Sequence, residues 1–256
     1  MLLRTSWPIV AAPVLAVALS AGATPQVQRR PLGVDSDLLT RTDAYVTSWM
    51  HDGRPLTLFV ALHGHGSSAD DFASVGADLA AMGLLAVLPQ APHAFDIGNG
   101  ALGYSWTIRT AGDAAMRDQS RERLVDDQLP ALVAQVQERF RVDETYLLGF
   151  SQGARMALLG GIRHPDLFSG IVTFGLSGFE EDWVPAPGPD GPRRLPVWMG
   201  YGTGERQGVQ AANRSTARAL EAAGHRVVEH TFDGGHEIPL GALQRAVAWM
   251  LSRPDR

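Results

Sequence analysis

Hydrophobic positions along the chain form short apolar runs that alternate with longer segments of helical character. Seven runs rich in apolar and β-branched residues predict buried strands, at 44–49, 56–62, 84–88, 145–148, 171–176, 197–201 and 226–232. Five segments between them predict helices, at 70–82, 119–140, 154–159, 211–223 and 240–251. Repeated alternation of this kind predicts an α/β fold, with a mostly parallel central sheet and helices on both faces.

The segments between the predicted strands and helices are interpreted as turns and loops. A turn sequence at 51–55 separates the first two strands and predicts an antiparallel opening hairpin. The segment 89–109 is rich in glycine and aromatic residues and is expected to be a loop. The proline-rich run 184–196 lacks the apolar periodicity of a lid helix, so we expect a surface loop there and no substantial lid domain.

The first residues resemble a secretory signal peptide. Arg4 supplies a positive charge, 9–19 is apolar, and Ala-Gly-Ala at 21–23 fits a small-x-small cleavage site. The apolar stretch is short for a membrane span, and prolines interrupt it. An uncleaved anchor and a misassigned start codon are the alternatives.

This pattern divides the chain into a signal peptide at 1–23, an extension at 24–41 and one domain at 42–256. The expected location is the periplasm or the exterior of the cell, without stable membrane insertion after processing. A 256-residue chain that is 45% hydrophobic can bury one large core.

Composition excludes several kinds of chemistry. The net charge of -5 gives no electrostatic reason to expect nucleic-acid binding. Cysteine is absent, which excludes a thiol nucleophile, a disulfide and a cysteine-ligated metal. All 22 basic residues are arginine, which excludes a catalytic lysine.

A candidate nucleophile lies between a predicted strand and a predicted helix. The pentapeptide Gly-Phe-Ser-Gln-Gly at 149–153 follows the strand 145–148 and precedes the helix 154–159, which is the context of a nucleophile elbow. The glycines are expected because the turn is too tight for side chains two residues from the serine. Ser151 would then have a strained backbone and an exposed hydroxyl. With 28 glycines in the chain, a chance occurrence is the alternative.

The sequence His-Gly-His-Gly-Ser-Ser at 63–68 follows the strand 56–62 and is a candidate oxyanion loop. The backbone N–H of His65 and that of Gln152 would bind the oxyanion that develops during acyl transfer. A metal site through His63 and His65 is one alternative, although no carboxylate cluster accompanies them. A simple glycine-rich turn is the other.

His236 is the best candidate for the general base. It lies in a glycine-containing loop, Asp-Gly-Gly-His-Glu-Ile-Pro at 233–239, between the last strand and the last helix. This location gives the chain order serine, acid, histidine.

The acid is less well defined by the sequence. Glu205 is the first carboxylate after the strand 197–201 and would accept the second imidazole N–H. Glu180, Asp182 and Asp233 are its rivals. A solvated loop charge paired with a neighbouring arginine is the non-catalytic interpretation of Glu205.

Taken together, these motifs resemble the phospholipase/carboxylesterase family of the α/β-hydrolase superfamily, which includes bacterial carboxylesterases and acyl-protein thioesterases. The resemblance covers roughly 56–251 and rests on four motifs in the same order, at 62–66, 104–106, 149–153 and 234–238. It implies a compact α/β-hydrolase fold without a lid.

The resemblance also implies that Ser151 and His236 are catalytic. The chain departs from the family pattern at Glu205, where the family usually has aspartate in Gly-Thr-x-Asp. It departs again after Trp106, where Thr107 and Ile108 replace the usual aromatic and acidic residues. The first departure concerns the acid and the second concerns acyl-chain specificity.

The expected function is a serine carboxylesterase that acts on small esters, or thioesters, of short-to-medium acyl chains. Tyr104 and Trp106 are candidates for the walls of the acyl groove, with core packing as the alternative. We expect no metal and no organic cofactor, and a homodimer is compatible with the sequence. The other functions left open are a secreted polyester depolymerase, a feruloyl-type esterase and a non-catalytic binding protein of the same fold.

Overall fold

The computed structural model describes residues 26–32, 41–47, 53–108, 114–179, 183–184 and 193–252. The strands are β1 (Val27–Pro31), β2 (Thr42–Thr47), β3 (Leu56–Leu62), β4 (Leu85–Pro89), β5 (His93–Gly98), β6 (Ala101–Ser105), β7 (Val142–Phe150), β8 (Gly170–Phe174), β9 (Val197–Gly202) and β10 (Val227–Phe232). The helices are α1 (Ala73–Ala81), α2 (Ala114–Glu122), α3 (Leu129–Arg139), α4 (Gln152–Arg163), α5 (Gln207–Ala222) and α6 (Leu240–Leu251).

Eight strands form one sheet in the order β1-β2-β4-β3-β7-β8-β9-β10. The pairs β1–β2 and β2–β4 are antiparallel, and every other neighbouring pair in this sheet is parallel. The predicted α/β fold with a mostly parallel sheet is confirmed.

The sheet buries a separate core on each of its faces. Along β3, Leu58, Val60 and Leu62 belong to one core, whereas Phe59 and Ala61 belong to the other, as the two-residue period of a strand requires. The first core is covered by α3, α4 and α5, and the second by α1 and α6. Helices therefore cover both faces, as predicted.

The predicted opening hairpin is wrong. β2 pairs antiparallel with β1 and β4, while β3 lies between β4 and β7. β3 is almost entirely buried, so it is stabilised by strand partners on both edges and by a core on each face, which only a central position provides. β1 comes from the predicted extension 24–41 and forms one edge of the sheet.

The predicted loop 89–109 contains the antiparallel hairpin β5–β6, which is separate from the main sheet. Its turn runs through Gly98, Asn99 and Gly100, whose φ values are 103°, 56° and 73°. Glycine and asparagine tolerate positive φ, so the Asn-Gly pair is a local signal for this hairpin.

The predicted helix 119–140 is replaced by α2, a π-helical segment (Arg123–Gln128) and α3. Pro130 is the second residue of α3. Proline has no amide hydrogen, and its ring crowds the carbonyl four residues earlier. The wider π-helical turn just before α3 relieves that crowding.

Several predictions lie outside the described residues: the signal peptide at 1–23, the rival acids Glu180 and Asp182, and most of the run 184–196. Among the helices that the structure describes, none combines the length and the apolar character needed to cross a bilayer.

Candidate active site

The parallel strands of the main sheet end at a common edge, where sites form in α/β proteins. The sequence-predicted residues follow the carboxyl ends of these strands: His63 and His65 after β3, Ser151 after β7, Glu205 after β9 and His236 after β10. The topology therefore brings together residues that are far apart in the chain.

Ser151 joins β7 to α4 in a conformation that residues with a side chain rarely adopt, with φ of 53° and ψ of -112°. A Cβ on Gly149 would lie 2.2 Å from the Gly153 carbonyl oxygen, and one on Gly153 would lie 2.1 Å from that of Leu62. The Ser151 amide donates to the Phe174 carbonyl at 2.9 Å. The local geometry is that of a nucleophile elbow, and both motif glycines are sterically required.

The imidazole of His236 and the carboxylate of Glu205 are in contact. His236 Nδ1 lies 2.9 Å from Glu205 Oε2, and the two side chains are 43% and 1% exposed. A carboxylate only accepts, so Nδ1 carries the proton, and in the neutral imidazole Nε2 then has the lone pair. This arrangement leaves Nε2 able to take a proton from a hydroxyl group.

Hydrogen bonds to its backbone hold the loop that carries Glu205 in place. Gln210 Nε2 donates to the carbonyl oxygens of Thr203 and Glu205, each at 2.9 Å. The Gly204 amide donates to the Gly234 carbonyl at 2.8 Å, which joins this loop to the one that carries His236. The acid and the base are therefore positioned by one connected pair of loops.

Of the three alternative candidates for the acid, Asp233 is the one that lies within the described residues. No hydrogen bond or ion pair joins Asp233 to His236 among the residues that the structure covers. Glu237 Oε1 accepts the Gly235 amide at 3.1 Å and shapes the loop from within. Of the carboxylates described, Glu205 is the one placed to orient the imidazole.

The imidazole also lies close to the elbow. The rings of Phe150 and His236 have centroids 4.6 Å apart, and Phe150 directly precedes Ser151. No hydrogen bond joins the Ser151 hydroxyl to His236 among those of the described residues. Such contacts are often long in the absence of substrate and tighten when it binds.

His63 is a structural residue of the candidate oxyanion loop. It is 1% exposed, its Nε2 accepts the Ala91 amide at 3.1 Å, and its Nδ1 donates to the Gly64 carbonyl at 2.8 Å. Burial lowers its pKa to about 4, so the ring is neutral near pH 7. With both nitrogens occupied, His63 does not fit the metal-site alternative, and no group of three metal-ligating side chains converges within the described ranges.

The loop after β3 passes directly beside the elbow. A Cβ on Gly64 would lie 3.1 Å from the Phe150 ring and 3.5 Å from Ser151 Cβ. Gln152 is the first residue of α4, so its amide has no acceptor within the helix and adds to the positive end of the helix dipole. The His65 ring stacks on Phe95 with centroids 4.6 Å apart. The predicted backbone donors therefore lie on the two segments that meet at Ser151.

The hairpin β5–β6 holds this loop in place. The Gly66 amide donates to the Tyr104 carbonyl at 2.9 Å, and the Tyr104 amide donates to the Ser67 carbonyl at 3.1 Å. The Gln152 side chain accepts the Trp106 amide at 3.0 Å and donates to Ser105 Oγ at 3.0 Å. This side-chain role of Gln152 was not predicted from the sequence.

Trp106 is a core residue here and not a groove wall. It is completely buried, and its Nε1 donates to the His63 carbonyl at 2.7 Å. A ring without accessible surface has no face to offer a substrate, so core packing is the interpretation that the structure favours. Tyr104 is half-buried and packs against the same core.

A cavity of about 390 Å³ adjoins the candidate oxyanion loop. Its lining residues are His93, Ala94, Phe95, Ser105, Thr107 and Ile108. Contacts of its lining residues place the cavity near the elbow. Phe95 stacks on His65, and Ser105 and Thr107 contact the side chain of Gln152. Its volume falls within the range of small-molecule sites.

The fold and the arrangement at the strand ends define an α/β-hydrolase. Residues 50–250 match the model of the phospholipase/carboxylesterase family, and the chain belongs to that family. The expectation drawn from the four sequence motifs is therefore confirmed. Carboxylic ester hydrolysis is the activity that this membership supports.

Solved structures share this fold. Esterase PE8 is 25% identical, covering 78% of this chain and 94% of its own, with a TM-score of 0.61. A ferulic acid esterase is 17% identical, covering 89% and 96%, with a TM-score of 0.61. An S-formylglutathione hydrolase from Agrobacterium tumefaciens is 16% identical, covering 90% and 96%, with a TM-score of 0.63. No curated protein sequence matches the chain.

Proposed function

We propose that the chain is a serine carboxylesterase in which Ser151 is the nucleophile, His236 the general base and Glu205 the acid. The observation that carries the proposal is the 2.9 Å contact between His236 Nδ1 and Glu205 Oε2, at the sheet edge where Ser151 forms its strained turn. Family membership and the chain order serine, acid, histidine support the same assignment.

The reaction is a two-step acyl transfer. His236 Nε2 takes the hydroxyl proton of Ser151 as Oγ bonds to the ester carbonyl carbon, and the amides of His65 and Gln152 bind the resulting oxyanion. Collapse of this intermediate expels the alcohol, or the thiol of a thioester, which receives the proton from His236. Water then hydrolyses the acyl-enzyme by the same route, and Glu205 stabilises the imidazolium in both steps.

We propose soluble esters of short-to-medium acyl chains as substrates. The 390 Å³ cavity has room for a small acyl or alcohol group. A series of p-nitrophenyl esters should show kcat/KM falling as the acyl chain becomes long. Activity that instead rises steeply above the solubility limit of a long-chain ester would contradict this substrate range.

Esters of aromatic acids are a second candidate, which the cavity lining favours. Phe95 supplies an aromatic wall, and His93, Ser105 and Thr107 supply polar groups, a combination that suits a hydroxylated aromatic ring. Comparing kcat/KM for methyl ferulate and methyl butyrate distinguishes the candidates, because a feruloyl-type esterase should prefer the ferulate.

The first experiment is fluorophosphonate labelling of the purified protein, read by intact mass. One adduct is expected in the wild type and none in Ser151→Ala, whose turnover should be lower by at least about a thousandfold. Ser215→Ala, which removes an exposed hydroxyl on α5, is the matched control and should label and turn over normally. A folded wild-type protein that takes no label would favour the non-catalytic binding protein.

A further inference from the structure

Gly175 follows the last residue of β8 and faces the candidate triad. Its φ is +58°, and its amide donates to the Gly200 carbonyl at 2.9 Å, which attaches it to β9. The carbonyl of the preceding residue, Phe174, accepts the amide of Ser151 at 2.9 Å. The end of β8 therefore supports the backbone of the candidate nucleophile and lies beside the base and the acid.

The space beside the Gly175 α-carbon is taken up by the imidazole and the carboxylate. A Cβ built on Gly175 would lie 2.8 Å from both Nδ1 and Cε1 of His236 and 3.1 Å from Glu205 Oε1. The Glu205 side chain is 1% exposed, whereas that of His236 is 43% exposed. The imidazole is therefore the group with room to move, and moving it would break its contact with Glu205.

The fit depends on the length of the acid. Glu205 Oε2 contacts His236, but Oε1 is buried and accepts no hydrogen bond from the described part of the chain. Oε1 lies 3.1 Å from the position that a Cβ on Gly175 would occupy, so the absence of a side chain there leaves space beside it. Glutamate extends one methylene further than aspartate, so its carboxylate occupies space that a side chain at 175 would otherwise fill.

We infer that Gly175 is a positioning residue for the triad and is matched to the glutamate at position 205. The missing side chain at 175 leaves the space through which the longer acid reaches the imidazole. This inference rests on the proposed function, because it assigns Gly175 a role in orienting the proposed base.

A double-mutant cycle on kcat and KM tests the match. Gly175→Ala should lower kcat by about a hundredfold with little change in KM, because displacing a catalytic group by roughly 1 Å has an effect of that size. Glu205→Asp should lower kcat by about tenfold, because its carboxylate withdraws from the imidazole. The double variant should be at least about tenfold more active than the product of the two losses predicts. Both changes act on the contact between Glu205 and His236, so displacing the imidazole removes less once the shorter acid has already withdrawn from it.

Gly53→Ala is the control for backbone strain. Gly53 has a φ of +80° but no atom within 4 Å of an added Cβ, so this variant should keep wild-type kcat and lower the melting temperature only slightly. Losses that simply multiply in the cycle would overturn the inference. If Gly175→Ala alone does not fold, folding becomes the measurement. A double variant that also fails to fold would then overturn the inference.

The outcomes also separate this inference from the proposed function. If the wild type neither turns over esters nor takes the fluorophosphonate label, the proposed function fails. If the wild type is active but the cycle shows no coupling, only the assignment of Gly175 fails.

Discussion

The side chain of Glu205 is almost completely buried. Within the described part of the chain, the Glu205 carboxylate makes one hydrogen bond, which joins Oε2 to His236 Nδ1 at 2.9 Å. A buried carboxylate is stable only with a partner, and here the partner is the imidazole that it would stabilise during catalysis. Charge and orientation are therefore linked in a single contact.

Glu205→Gln should keep the shape of the side chain while removing its charge and allowing the wrong imidazole tautomer. We expect kcat to fall by about a hundred- to ten-thousandfold, measured with a p-nitrophenyl ester at pH 7.5. Asp233→Asn is the control and should stay near the wild-type rate. The reverse order of effects would identify Asp233 as the acid.

His63 predicts a pH dependence of stability. Its pKa is about 4 in the folded chain against 6.5 ordinarily, so below pH 6.5 the unfolded chain binds a proton that the folded chain does not. This contribution to stability is complete above about pH 6.5 and is lost as the pH falls toward 4. It amounts to at most about 3 kcal/mol.

Urea unfolding of wild type and His63→Gln at pH 7 and pH 5 measures this contribution. The variant should be less stable at pH 7 because it loses buried hydrogen bonds. It should also lose less stability than the wild type between the two pH values. Equal losses in the two proteins would show that His63 is not the group responsible.

At the scale of elements, the hairpin β5–β6 and the helix α4 are joined by one side chain. Gln152 contacts Ser105, Trp106 and Thr107 while its own backbone begins the helix behind Ser151. The hairpin in turn pairs with the candidate oxyanion loop through the backbone of Tyr104. The hairpin is thus the element that connects the oxyanion loop to the nucleophile helix.

Gln152→Leu should release the hairpin while leaving the elbow glycines in place. Loss of these partly buried hydrogen bonds should lower the free energy of unfolding by about 1–3 kcal/mol and should lower kcat. Thermal unfolding and ester kinetics on the same preparation measure both quantities. A variant with unchanged kcat would show that the loop holds its position without this contact.

Some elements were predictable because their signals are local, and others were not. The alternation of apolar runs and helical segments predicted seven of the eight strands of the main sheet, all but β1, and α6 has the predicted bounds. The partner of β2 was not predictable, since pairing depends on which strand needs a central position. The Asn-Gly pair at 99–100 was a usable hairpin signal that the glycine-rich composition of its surroundings obscured.

At the scale of the whole molecule, β1 is attached to the rest of the fold partly through charges. Arg29 Nη2 lies 2.8 Å from Asp43 Oδ2 on β2 and 2.5 Å from Asp70 Oδ1 before α1. The Asp43 side chain is 4% exposed, so its charge depends on nearby arginines. These contacts join the edge strand to the sheet and to the segment before α1.

Arg29→Met should lower the free energy of unfolding by about 1–2 kcal/mol, because it leaves a buried carboxylate with fewer partners. Arg30→Met is a close control, since the neighbouring Arg30 contacts the exposed Gln28 side chain and should change stability little. Urea unfolding of both variants distinguishes them. Equal effects would mean that the Asp43 pairing contributes nothing measurable.

The sequence by itself determined the class of the fold and proposed Ser151, Glu205 and His236, because period, chain order and the residues flanking a motif are local properties. Tertiary structure alone decided which groups meet. It placed Glu205 against His236, buried Trp106 in the core, and put Gly175 where any side chain would collide with the base. These outcomes depend on distances between strands far apart in the chain, and a single sequence carries no direct record of such distances.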